Sequence, residues 1–195
     1  MCGRYLLAID LKTLLARYRL NDNDIQISFS PMNEIFPSNK VPVVLDKGER
    51  QIKMLSWGFN PSYAKRLIIN ARGETVDFKP TFKYSFLNKR CLIPATGFYE
   101  WEKVNGKSIK HQIFLDNAKI FSFAGIYNTF KDKNGRDYEA FTIITTTPSK
   151  DIERIHNRMP VILKKEDEDI WLDENSRDIG VLKSLLKPYD DIIIS

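Results

Sequence analysis

Between residues 90 and 146 the chain passes through five apolar, β-favouring stretches in close succession, at 90–93, 98–104, 109–115, 120–127 and 138–146. Asn105-Gly106, Asp116-Asn117 and Asn134-Gly135 separate them. Such pairs supply positive φ or local side-chain hydrogen bonds and so turn a chain sharply. Strands joined this tightly pair with their neighbours, which predicts a largely antiparallel, curved sheet. Upstream, strands at 41–45 and 51–57 flank a turn at Asp46-Lys47-Gly48, and 66–70 is a further strand candidate. Asp10 precedes Leu11, Leu14, Leu15 and Tyr18 at helical spacing, predicting a capped helix to about Arg19. Residues 21–40, with Pro31 and Pro37, read as a loop. A partial helix is expected within 76–88, its start limited by Pro80. Short helices follow at about 148–155, 166–172 and 176–186, then a last strand at 189–194. The fold class is α+β: a single domain over residues 1–195, with a mostly antiparallel, curved, barrel-like sheet and short flanking helices.

A chain of 195 residues buries roughly 70% of its unfolded surface, so it needs no covalent staple. Its two cysteines are too few for a disulfide scaffold. The N-terminus has no long apolar core before Asp10, and no apolar run approaches the roughly 20 residues that span a bilayer. A location in the cytoplasm (nucleoid-associated through DNA) or the nucleus is expected, with no membrane partner, and the protein is expected to be a monomer. The formal charge of +5 suits a polyanionic partner without requiring one.

Cys2 is the first residue with chemistry of its own. Removal of Met1 would leave an α-amine and a thiol on adjacent carbons. Toward an aldehyde, the amine can form a Schiff base and the thiol can close a five-membered thiazolidine, an intramolecular step favoured by proximity. The plain alternative is an incidental residue at a frayed terminus. Asn70 and Arg72, two apart at a strand end, point the same way and could face one pocket or simply solvent. Glu100 lies among Phe98, Tyr99 and Trp101, where alternation puts it on the face of Phe98. A desolvated carboxylate there would favour its protonated form and suit acid–base work. A place on the solvent face, or pairing with an arginine such as Arg4 or Arg72, is the competing reading. His156 falls at an element boundary, where sites often form; His111 reads as a surface or packing residue. Cys2, Cys91, His111 and His156 include no close-spaced ligand pair, so no metal and no cofactor are expected.

Four stretches together carry a resemblance: Met1-Cys2-Gly3-Arg4-Tyr5; Asn70-Ala71-Arg72-Gly73-Glu74-Thr75; Cys91-Leu92-Ile93-Pro94-Ala95 with Gly97-Phe98-Tyr99-Glu100-Trp101; and His156-Asn157-Arg158-Met159-Pro160-Val161-Ile162-Leu163. In this order they resemble the SRAP family, the SOS-response-associated peptidase or abasic-site-processing proteins. The resemblance implies that Cys2 traps the ring-opened sugar aldehyde of an abasic site in single-stranded DNA as a thiazolidine. It also implies that Asn70 holds the terminus and the sugar, Glu100 moves protons and His156 assists ring opening. Arg4 and Arg72 would bind phosphates, Trp57 and Trp101 would stack on bases or wedge beside the lesion, and Pro37, Thr145 and Arg158 would be further DNA contacts. For either tryptophan the competing reading is core packing. Two other function classes stay open: a cysteine peptidase with Cys2 as nucleophile and His156 as base, and a non-catalytic single-strand binding module.

Overall fold

The computed structural model describes residues 2–20 and 27–195. Among these, thirteen strands and five short helices alternate in the order β1 (Tyr5–Leu7), α1 (Leu11–Tyr18), β2 (Met32–Ile35), β3 (Lys40–Asp46), β4 (Arg50–Trp57), β5 (Asn70–Arg72), α2 (Pro80–Asn88), β6 (Arg90–Ala95), β7 (Gly97–Val104), β8 (Lys107–Leu115), β9 (Phe121–Lys131), β10 (Asp137–Thr146), α3 (Lys150–Glu153), β11 (Met159–Pro160), β12 (Ile162–Leu163), α4 (Glu168–Leu172), α5 (Ile179–Ser184) and β13 (Ile192–Ile194). The α+β class is as expected. One sheet runs β13-β8-β7-β1-β2; the other runs β11-β10-β4-β3-β6-β9-β12 and curls until β9 also pairs with β10.

Local chemistry explains most of these boundaries. The Asp10 side chain accepts the Thr13 N–H at 2.7 Å and caps α1, which buries Leu14, Leu15 and Tyr18. Pro80 opens α2, where a missing N–H costs nothing. Asn105 and Gly106 take φ of 50° and 76°, as a two-residue hairpin requires, and they join β7 to β8 in the register Val104↔Lys107.

Two expectations need correction, and one feature was not foreseen. Residues 32–35 form an edge strand on β1 rather than loop; their two apolar positions are too few to signal a strand by pattern. The candidate at 66–70 is displaced to Asn70–Arg72, because Ile68 instead bridges Phe59. The sheet also has two parallel pairings, β4 and β5 each with β10, which a chain of hairpins does not announce. The part of the expected 21–40 loop at 21–26 lies outside the described residues.

The core joins the two sheets through aromatic rings. Tyr5 of β1 meets Trp57 edge-on at 5.2 Å and Phe123 at 5.7 Å. Trp57 in turn stacks on Phe141 at 6.4 Å. Trp57 is 0% exposed, and its indole N–H donates to the Ile69 carbonyl at 3.0 Å. It is therefore a packing residue: no base can reach its ring.

Arg90 organises the far side. Its guanidinium donates to the carbonyls of Phe86, Leu87, Trp171, Asp173 and Ser176 at 2.5–3.0 Å, tying the ends of α2 and α4 to β6. Arg90→Lys leaves three donors for five acceptors. About 2–4 kcal/mol of stability should be lost, since each buried carbonyl without a donor costs roughly 1–3 kcal/mol. Urea unfolding measures this; an unchanged midpoint would mean that these carbonyls reach water when the arginine is gone.

Candidate functional site

The site forms where the two sheets meet. β1 and β7 run antiparallel, with Tyr5 opposite Phe98 and Leu6 opposite Gly97. The Tyr99 N–H donates to the Arg4 carbonyl at 2.9 Å. That register leads the chain back from Arg4 to Cys2 alongside Glu100 and Trp101. Cys2 is fully enclosed, and its thiol donates to the Arg4 carbonyl at 3.7 Å.

Burial pushes the Cys2 thiol well above its ordinary pKa, and the neighbouring Glu100 carboxylate pushes it further the same way. Glu100 itself is 2% exposed. Burial raises its carboxyl above the usual range, while the His156 imidazole, as a cation, pulls it back. Glu100 thus lies within electrostatic reach of both Cys2 and His156. A carboxyl raised in this way can hold and release a proton nearer neutrality than an exposed glutamate can.

His156 follows α3, whose last turn accepts the His156 N–H at the Ile152 carbonyl, 2.9 Å away. Its Nδ1 faces a single residue. The Arg158 N–H approaches it at 3.0 Å and the Arg158 carbonyl at 3.1 Å. A ring with Nδ1 unprotonated accepts from the former, and a ring protonated there donates to the latter. The Arg158 backbone therefore serves either protonation state of Nδ1.

Asn70 comes from β5, opposite Ile143 of β10. Both polar atoms of its amide are buried and make no hydrogen bond within the described residues, Cys2 included. Paired polar atoms are the rule in protein interiors, so this amide is set up for a group that enters the site. Arg72, two residues on and exposed, adds its charge near Glu74.

The remaining expected contacts divide. The Arg4 guanidinium lies 4.3 Å from the centre of the Phe36 ring and 5.1 Å from that of Trp101, and it bonds Glu34 at 3.3 Å. Glu34 also holds Lys110, which sits over Tyr99 at 4.1 Å. Trp101 is half-buried in this cluster, and Phe36 is 41% exposed beside it. Pro37 follows Phe36, partly exposed. Thr145 is fully buried, not a surface contact. Arg158 is engaged within the protein: its side chain is 11% exposed and grips Glu74 through two bonds of 2.5 and 2.9 Å. His111 pairs with Glu102 at 2.8 Å, and Cys91 is buried in the core.

Several residues carried too little signal to be singled out by pattern. Tyr63 (68% exposed), Phe78 and Tyr84 stand out from a surface that also carries Lys65, Arg66, Lys79 and Lys83. Tyr63 is tied to α2 by a 2.8 Å bond between its hydroxyl and that of Thr81. An exposed aromatic looks like a core aromatic in sequence, and solvent exposure alone separates them. Among the described residues no group of three or more His, Cys, Asp or Glu is arranged to hold a metal ion.

The pattern that defines the SOS response associated peptidase (SRAP) family matches residues 1–194. This chain belongs to that family. It is 36% identical over 197 residues to abasic site processing protein YoqW of Bacillus subtilis, covering 97% of this chain and 88% of that one. Against abasic site processing protein HMCES of Xenopus tropicalis it is 27% identical over 213 residues, covering 90% of this chain and 62% of the relative. A crystal structure of a protein from Bacteroides thetaiotaomicron superposes with a TM-score of 0.88 at 27% identity, covering 99% of this chain and 90% of that one. A second, from Bordetella bronchiseptica, gives 0.80 at 20% identity, over 100% and 98% of the two chains. The SRAP fold is thus shared well beyond the four matching stretches.

Alkylation tests the electrostatics of the site. Iodoacetamide should label Cys2 slowly near neutrality. Glu100→Gln should speed the labelling, because removing the negative charge lowers the thiol's pKa. Peptide mapping distinguishes Cys2 from Cys91, whose rate should not change; an unaltered Cys2 rate would place the Glu100 charge outside the thiol's surroundings.

Proposed function

We propose that this protein processes abasic sites in single-stranded DNA by forming a covalent thiazolidine with Cys2 once Met1 is removed. One observation carries the reading: a buried Cys2 beside a carboxyl raised by burial and an imidazole. Membership of the SRAP family, with relatives named for abasic site processing, supports the choice of substrate.

The steps balance without a cofactor. The freed α-amine adds to the C1′ aldehyde of the ring-opened sugar. The carbinolamine loses water to give a Schiff base, with Glu100 delivering the proton that lets hydroxide leave as water. The Cys2 sulfur then adds to the C=N carbon, and the thiol proton passes to nitrogen as the ring closes. As the ring opens, His156 donates a proton to the sugar ring oxygen and the C1′ hydroxyl gives up its own to solvent, leaving the aldehyde. Asn70 offers its unpartnered amide to the sugar. The raised thiol pKa suits this amine-first order and disfavours a peptidase, which needs a thiolate from the start. In this reading the exposed Arg72 meets a phosphate, and the exposed Tyr63, Phe78 and Tyr84, among lysines, stack on bases. Single strands suit such a surface because their bases are already free to stack, and an abasic sugar needs no base to be unstacked.

Met1-trimmed protein incubated with a single strand bearing one abasic site should give a shifted band on a denaturing gel. Cys2→Ala should abolish the band and Cys91→Ala should keep it. Peptide cleavage with no band would favour the peptidase; retention in native gels alone, indifferent to Cys2→Ala, would favour a binding module. Glu100→Gln should slow adduct formation at least about tenfold with little change in DNA affinity, and equal rates would remove Glu100 from the mechanism. Arg72→Ala should weaken binding to intact strands and lower the salt dependence by roughly 0.7 of a unit of slope, one phosphate's worth on a single strand. An unchanged slope would rule out a phosphate contact there.

A further inference from the structure

Beside the reacting groups an acid stands between two cations. Arg4 lies two residues from Cys2, and its carbonyl accepts the Cys2 thiol at 3.7 Å. Its guanidinium packs against the exposed Phe36 at 4.3 Å and against Trp101, the residue after Glu100, at 5.1 Å. The Glu34 carboxylate reaches this guanidinium with one oxygen, at 3.3 Å, and takes the Lys110 ammonium with the other. Lys110 is in turn held over the Tyr99 ring at 4.1 Å. The backbone on either side of Glu34 is pinned. The Asn33 carbonyl accepts the Tyr99 hydroxyl at 3.0 Å, and Ile35 is paired opposite Tyr5. The side chains of Arg4, Glu34 and Lys110 are 29, 32 and 38% exposed, so an incoming anion can reach all three.

The hold of Glu34 on Arg4 is loose. It is a single long bond, weaker than the two-point grip a guanidinium can give a carboxylate or a phosphate. Arg4 Nε is enclosed and makes no hydrogen bond among the described residues, so the guanidinium has donors still to offer. A sugar at Cys2 carries a backbone phosphate on each side, which brings phosphate charge to the neighbourhood of Arg4. A charge on the edge strand β2 also discourages pairing with another chain, but that role requires no cation beside it. We infer that Glu34 is a specificity-determining residue, which occupies Arg4 in place of a backbone phosphate and must give way when a strand binds. The inference rests on the proposed reading, in which a single strand crosses the site. An intact strand displaces Glu34 and gains only reversible contacts. At an abasic site the covalent bond to Cys2 offsets the same cost. Glu34 thereby shortens residence on intact strands more than it hinders capture of the lesion. The Lys110 hydrogen bond holds the Glu34 carboxyl below the usual range, so it stays charged near neutrality.

The test uses Met1-trimmed full-length protein and an unmodified oligothymidine strand, with affinity read by fluorescence anisotropy. Glu34→Gln should bind this strand about fivefold more tightly, the upper end of what an exposed ion pair is worth. In an Arg4→Ala background the same substitution should bring no gain, because the effect passes through that one pair. A second measurement reads adduct formation on a strand with one abasic site, held well below saturation. Added oligothymidine should suppress the adduct at about fivefold lower concentration in Glu34→Gln than in the parent. Affinity that is unchanged or weaker in Glu34→Gln would overturn the inference, the weaker result meaning that Glu34 serves to order Arg4 for binding. A gain that survives the loss of Arg4 would also overturn it, leaving only long-range charge. Absence of any adduct from the parent protein would instead overturn the proposed chemistry, while the oligothymidine affinities would still decide the role of Glu34.

Discussion

The carbonyl oxygen of Thr145 accepts from two directions, the Gly73 N–H on one side and the Arg158 guanidinium on the other. Through it the far end of β10 holds together parts of the chain more than seventy residues apart. The register explains why this place matters. Thr145 is opposite Arg72 on one edge and Pro160 on the other. β9 occupies that second edge as far as Ile143 and then gives way to β11. By changing partners at its end, β10 brings the Asn70–Arg72 strand and the approach to His156 to the same end of the sheet. A regular hairpin ladder would have kept them apart.

The site's chemistry follows from enclosure more than from any unusual residue. Water is excluded from Cys2 and Glu100, so each is pushed toward its neutral form. At Glu100 burial is the largest influence, and nearby positive charge works against it. Elsewhere the fold treats burial differently. Glu168 is equally buried, but Arg17 grips it with two bonds of 2.8 and 3.0 Å and the Ser122 hydroxyl adds a third at 2.5 Å. One buried glutamate is locked into structure; the other lies beside the Cys2 thiol.

The sequence was most legible where one short-range rule governs. The Asp10 cap, Pro80 at the head of α2 and the Asn105-Gly106 turn all fall as local chemistry requires. Alternation put Glu100 on the face of Phe98 but not its burial, for Tyr99 on the other face is buried as well. Partnership across long distances was not legible. The parallel pairing of β5 with β10, the short edge strand β2 and the Glu74–Arg158 fork depend on how the sheet curls, which no window of the chain encodes. Trp57 shows the same limit. A tryptophan before a glycine reads equally well as a base-stacking platform or as core, and its stacking on Phe141 decides for the core.

The enclosure of Cys2 also bears on the order of events in the life of the chain. An aminopeptidase must draw the first residues, in extended form, into its own cleft before it can cut behind residue 1. Once β1 is zipped between β2 and β7, the stretch up to Arg4 can no longer be drawn out without breaking that sheet. Removal of Met1, on which the proposed chemistry depends, would therefore have to come while the strand is still unpaired. A chain that folds untrimmed would be locked in that form until it unfolds.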